Sequence, residues 1–312
     1  MKATDVLSPE TGNIRSLAPF DSGDILATGT IFSAEAIKGT GSEVDRSFAA
    51  RFSPLGELRW TRTYSALRTS IAADTRSDGS FALAGRGENL GFCVLDADAA
   101  GEARWTFSAE AAPSFADPQG SVLVREDRGV FAAFVAAPPY LELHVLSLNG
   151  EGGEQWHKTF SVPNEMVFTG LFKAADDGVV VARGQYVGTS PHFRGEQLLL
   201  TRLTKEGAVL WEKLAPEEPL RFGSARFVGP YPGDGFFAYF GRPGADVLYR
   251  ISDNGEIIET GTLRLRDVAS LRALADGSYI ACGTARQELH LPLPWTPQPP
   301  EQLFVQHLTP TP

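Results

Sequence analysis

One short pattern recurs along the whole chain: a turn signal with Gly, five mostly apolar residues, then a second Gly. The copies are SGDILATG (Gly23, Gly29), DGSFALAG (Gly79, Gly85), DGVVVARG (Gly178, Gly184), DGFFAYFG (Gly235, Gly241) and DGSYIACG (Gly277, Gly283). A further copy, RGVFAAFV, keeps Gly129 and carries Val135 in the second place. Asp-Gly between apolar runs predicts a tight hairpin in which both turn residues take φ > 0.

A second element follows all but the last copy: an apolar strand, a short polar turn with Gly, and a strand carrying Trp. It reads FSPLGELRW to Trp60, DADAAGEARW to Trp105, LNGEGGEQW to Trp156 and LTKEGAVLW to Trp211. In the fifth, SDNGEIIE, Glu259 stands where Trp is expected. The unit is thus four antiparallel strands with a variable loop in the middle. Repeated every ~40–57 residues, it predicts propeller blades.

The expectation is one all-β domain over the 312 residues, a six-bladed β-propeller of four-stranded antiparallel blades. The blades span approximately 14–66, 70–111, 120–161, 169–214, 226–263 and 268–309. The sixth lacks a fourth strand after LFVQHLTPTP, and Lys2–Ser8 is the candidate to supply it. That pairing closes the ring and leaves no bare edge.

LATGTIF and DRSFAARFSPLGELRWTRTY resemble the short repeats, ending in a G-x-x-x-W strand, of many bacterial surface and secreted proteins. More distantly they are similar to quinoprotein-type repeats of the outer-membrane assembly propeller. The resemblance implies architecture, and binding or scaffolding more often than catalysis. It carries over no functional residue.

A formal net charge of −10, with no Lys/Arg cluster, argues against nucleic acid as a partner. No apolar run is long enough to span a bilayer, and MKATDVLSPE lacks the core of a signal peptide. The chain reads as cytoplasmic as it stands, or as secreted or envelope-bound if a signal has been removed. Cys93 and Cys282, each in an apolar run, read as buried thiols rather than a disulfide framework.

Strand alternation puts both kinds of short turn on one face and every long loop on the other. Binding residues concentrate on loops held by a rigid scaffold. Three loops stand out there: Ser33–Arg46, Tyr186–Gln197 and the Pro-rich Ala285–Gln302. Trp295 is out of register with the other four Trp, which read as packing between blades. The candidate ligand-binding residues are Trp295, then Tyr186, His192, Phe193 and Arg194, then Tyr140 after two prolines. Arg15, Arg226 and Arg272 are weaker candidates for a central channel.

GRGENLG and KGTGSE lack the spacing and following helix of a dinucleotide loop. DADAAG has Ala100 and Phe107 where a calcium loop needs oxygen ligands. His144, His157, His192, His290 and His307 read as scattered, with no H-E-x-x-H and no ligand pair on one strand. No G-x-S-x-G elbow is present. No cofactor, metal or catalytic residue is assigned. The reading is a monomeric, non-catalytic scaffold that binds a protein partner through the long-loop face. The alternatives are a carbohydrate-binding propeller and a hydrolase or lyase with its site at the channel mouth.

Overall fold

The computed structural model describes residues 11–32, 46–88, 91–109, 120–136, 142–161, 167–174, 176–190, 193–221, 224–231, 235–241, 246–263, 268–273, 279–285 and 302–308. Within them lie five sheets of four strands and one of three, each in chain order. Sheet I holds β1 (Thr11–Pro19), β2 (Ile25–Phe32), β3 (Arg46–Phe52) and β4 (Leu58–Tyr64). Sheet II holds β5 (Leu67–Thr75), β6 (Phe81–Gly87), β7 (Phe92–Ala97) and β8 (Ala103–Ser108). Sheet III holds β9 (Gly120–Val124), β10 (Val130–Val135), β11 (Glu142–Leu148) and β12 (Glu154–Ser161). Sheet IV holds β13 (Val167–Lys173), β14 (Val179–Ser190), β15 (Phe193–Leu203) and β16 (Val209–Arg221). Sheet V holds β17 (Ser224–Pro230), β18 (Phe236–Gly241), β19 (Asp246–Ile251) and β20 (Ile257–Leu263). Sheet VI holds β21 (Val268–Ala273), β22 (Tyr279–Ala285) and β23 (Gln302–Leu308).

The chain divides into two compact units. The first is Met1–Pro163 with Asp177–Val179 and Leu203–Ala208; the second is Asn164–Asp176, Val180–Arg202 and Val209–Pro312. In the first, Leu26, Ala49 and Tyr64 of sheet I pack on Leu67, Phe81, Leu83 and Leu95 of sheet II. The other face of sheet II, through Ala82, Ala84, Phe92 and Val94, packs on Val122, Val130, Phe134 and Leu146 of sheet III. In the second unit Val180, Leu198 and Leu200 of sheet IV meet Phe236, Phe240 and Val247 of sheet V. β7 and β10 are therefore buried on both faces, and their sequences FCVLDA and VFAAFV are almost unbroken apolar runs. The fourth strands β8 and β12 alternate between exposed and half-buried residues instead.

The tight turns differ from the expected type. Arg76 N–H donates to Ser80 O (2.8 Å) and Gly79 N–H to Arg76 O (3.0 Å). Only Gly79 takes positive φ, at 83°; Asp78 does not. This is a type I turn closed by a glycine bulge, so it needs one left-handed residue where the expected type I′ turn needs two. Asp78 contributes through its carboxylate, which accepts from Ser80 N–H (2.9 Å).

The repeated glycines are also not equivalent. In sheet III the left-handed residue is Arg128 (φ 65°), and in sheet IV it is Asp177 (φ 59°), with Gly129 and Gly178 one place later. That slip puts Phe134 and Arg183 where Gly29 and Gly85 stand in sheets I and II. A one-residue slip reverses the face a side chain occupies. A left-handed arginine costs about 1–2 kcal/mol. Arg128→Gly should therefore raise unfolding stability by about 1 kcal/mol, read as a higher denaturant midpoint.

The second hairpins share one construction. Ser53, Asp98, Asn149, Thr204 and Ser252 lead them, and their side-chain oxygens accept N–H groups inside the turn, as Asn149 does from Glu151 (3.0 Å) and Gly153 (2.8 Å). Gly56, Gly101, Gly152, Gly207 and Gly255 hold the left-handed position. An indole from the preceding sheet covers four of these glycines: Trp60 over Gly101, Trp105 over Gly152, Trp156 over Gly207 and Trp211 over Gly255. Trp105 Nε1 donates to Gly150 O (2.9 Å) and Trp156 Nε1 to Lys205 O (2.7 Å). The four tryptophans pack between sheets as expected, but are half-buried. Among the described residues sheet VI ends with β23 and offers no second hairpin for a fifth indole, the position Glu259 occupies.

Candidate functional site

Trp295, His192 and Tyr140 lie outside the described residues, as do most of the two loops Ser33–Arg46 and Ala285–Gln302. Tyr186 lies on β14, and Phe193 and Arg194 on β15. The loop expected over Tyr186–Gln197 is therefore mostly strand: β14 continues to Ser190 and β15 resumes at Phe193. Tyr, Val, Thr and Phe in this stretch suit a pleated strand, and the longer hairpin follows from them. Arg15 is exposed and falls at a β-bulge between Ile14 and Ser16; Arg226 falls at the corresponding bulge between Ala225 and Phe227. Arg272 pairs in regular register with Ile280.

Most of the buried charge lies at the first hairpins; Arg183, buried on β14, instead bonds Thr201 and Glu212 across sheet IV. In sheet II, Arg76 Nη1 donates to Asp96 Oδ1 (2.6 Å), and Arg104 approaches the other oxygen (3.5 Å). Arg76 Nη2 also donates across to Arg128 O (3.0 Å) and Gly129 O (3.3 Å) in the sheet III turn. Burial is the larger influence on the Asp96 carboxyl and leaves it above its ordinary pKa, against the pull of both guanidiniums. In sheet III, Arg125 donates to Ser147 Oγ (2.8 Å), Gln155 Oε1 (2.8 Å) and Asp127 Oδ2 (2.5 Å).

Sheet I builds the same brace with the roles exchanged. There the third strand supplies Arg51, which bonds Asp24 (2.7 Å) and stacks 4.1 Å over Phe20. Arg250 lies 4.2 Å over Tyr231 in sheet V, and Arg202 bonds Asp176 (2.6 Å) in sheet IV. In sheets I to V these arginines pin the first turn to the third strand. Their chemistry is structural.

Sheet III brings together two histidines that the sequence reading left scattered. His144 Nδ1 lies 2.8 Å from His157 Nε2, across the diagonal of β11 and β12. The buried His144 ring stacks on Phe134 (4.8 Å, 8° between planes), and its Nε2 lies 3.7 Å from Glu142 Oε2. Burial, then the neighbouring His157, hold the His144 imidazole below its ordinary pKa. Among the described residues no group of three or more His, Cys, Asp and Glu side chains is arranged to hold a metal ion. Cys93 is a buried free thiol, pushed up to about 11 by burial, and is inert as a nucleophile at neutral pH.

No family model matches the chain, and no curated protein sequence does. Solved structures do resemble it. One is a protein of unknown function from Dyadobacter fermentans, with 11% identity, TM-score 0.58, and coverage of 98% of this chain and 96% of the other. Another is the WD40 domain of Neurospora crassa Pan2, with 12% identity, TM-score 0.50 and 86% of each chain. WD40 repeats build propellers. The sheets are β-propeller blades. A polysaccharide lyase, an ulvan lyase, is also similar, with 11% identity, TM-score 0.52, and 88% of this chain and 75% of that one. At such identities the likeness shows fold alone. No helix of the described residues is long and apolar enough to cross a membrane.

Proposed function

We propose that the protein is a non-catalytic, six-bladed propeller that binds a protein partner through its long-loop face. The observation that supports this reading is the placement of most of the buried charge: Arg76, Arg125 and Arg202, with half-buried Arg51, each brace a first turn. Charge committed to bracing is unavailable for acid–base chemistry. In this reading Tyr186, Phe193 and Arg194 form one part of the contact surface, with His192, Tyr140 and Trp295 as the others. The loops differ from blade to blade, which suits one irregular partner better than a repeated sugar site.

The architecture in this proposal is a ring closed by Lys2–Ser8 as the fourth strand beside β23. Deleting residues 1–8 should then lower the melting temperature by several degrees. Unchanged melting would exclude that closure.

The binding reading is tested with the full chain against a proteome display, a glycan array and a uronate-polysaccharide cleavage assay. A protein ligand whose binding falls at least tenfold in Phe193→Ala and Trp295→Ala supports it. Glycan binding lost in the same variants would favour a lectin. Turnover of the polysaccharide would replace the proposal with a lyase.

A further inference from the structure

We propose that His144 and His157 form a two-nitrogen chelate for a late transition-metal dication of tetragonal preference, copper(II) above all. Two imidazole nitrogens bound cis at about 2.0–2.1 Å to a square-planar ion lie ~2.9 Å apart, against ~3.4 Å for a tetrahedral ion. The observed separation is 2.8 Å. That is the length of the hydrogen bond that joins the two rings, and it also matches the cis bite of copper(II) or nickel(II), whereas a tetrahedral zinc ion would need the rings to part by ~0.6 Å.

The surroundings are those of a ligand already held in place. His144 is 8% exposed and fixed face to face on Phe134. Its second nitrogen lies 3.7 Å from the Glu142 carboxylate, outside hydrogen-bond distance but near enough to attract the N–H of a metal-bound imidazole. Glu142 and His144 are two apart on β11, so they point to one face of the sheet. His157 pairs with Leu146 on that same face and is exposed, which gives an ion its path in from solvent. Water fills the remaining coordination positions.

Proton accounting is simple. Without metal the two rings share one N–H. If it belongs to His157 Nε2, metal binding moves it to His157 Nδ1. If it belongs to His144 Nδ1, it moves to His144 Nε2 and toward Glu142. Neither route needs an oxidant, a reductant or a net proton.

The test is copper(II) titration of the full chain, followed by electron paramagnetic resonance and competition with a chelator of known affinity. One equivalent should bind with hyperfine structure from two imidazole nitrogens, and zinc should bind more weakly. His157→Ala, at an exposed position, should weaken copper binding about 10–100-fold and leave a one-nitrogen signal. Glu142→Gln should weaken it about tenfold with the two-nitrogen signal retained. His144→Phe preserves the stack and should likewise weaken binding about 10–100-fold and leave a one-nitrogen signal; if it fails to fold, the two other variants still decide. Copper binding of unchanged affinity in His157→Ala, or an absent two-nitrogen signal in the natural chain, overturns the proposal.

Discussion

Asp96→Ala should lower the free energy of unfolding by about 3–5 kcal/mol, the penalty for stranding a buried charge. The Arg76 side chain is 6% exposed and that of Asp96 is 1% exposed, so water cannot replace the lost carboxylate. Arg104, at 3.5 Å and one-third exposed, can turn to solvent when Asp96 is gone; Arg76 cannot. Arg76 would remain tied to Arg128 O and Gly129 O, both neutral acceptors that do not balance its charge.

The double variant Arg76→Met/Asp96→Leu removes the charge with the carboxylate and should recover most of the loss, since apolar replacement of a buried pair is often neutral. Recovery should be incomplete by about 1–2 kcal/mol, because the sheet III turn loses its donors. Urea unfolding of the three proteins decides the matter. A loss below 1 kcal/mol in Asp96→Ala would show that the guanidinium escapes to water.

The repeat was legible because strand, turn and Gly signals are local. The spacing of the Trp residues predicted packing between blades, and Trp105 and Trp156 do clasp the next sheet's turn. What could not be read were features that depend on register. Whether Gly129 or Arg128 holds the left-handed position changes nothing in composition, yet it moves every following side chain to the other face. The arginine braces were hidden for a related reason. Arg76 and Asp96 lie 20 residues apart, and sheet I exchanges the two roles between Phe20 and Arg51, so no linear motif survives. His144 and His157 meet only as a cross-strand diagonal, which a search along single strands misses. The candidate contact residues were the least legible. Tyr186 and Phe193 looked like loop residues because Gly and Pro surround them, while the strands continue to Ser190 and from Phe193.

Gly152→Ala should cost about 3 kcal/mol, roughly three times Gly56→Ala, although both glycines hold the same conformation. Gly56 has φ 81° and Gly152 φ 82°, so the strain of placing alanine in the left-handed region is shared, about 1 kcal/mol each. The difference lies in what a Cβ would meet. At Gly56 no atom lies within 4 Å, whereas at Gly152 two indole carbons of Trp105 lie at 2.8 Å. The hairpin or the ring must move, and either shift pulls Trp105 Nε1 off Gly150 O. The excess of about 2 kcal/mol combines that hydrogen bond with the overpacking of a ring held between two sheets. In a Trp105→Ala background the clash disappears, and Gly152→Ala should then cost only the 1 kcal/mol or so of backbone strain. A double-mutant cycle by urea denaturation measures the coupling directly. Equal costs for Gly152→Ala with and without Trp105 would mean that the indole covers the turn without bearing on it, and that the sheets are held by their apolar faces alone.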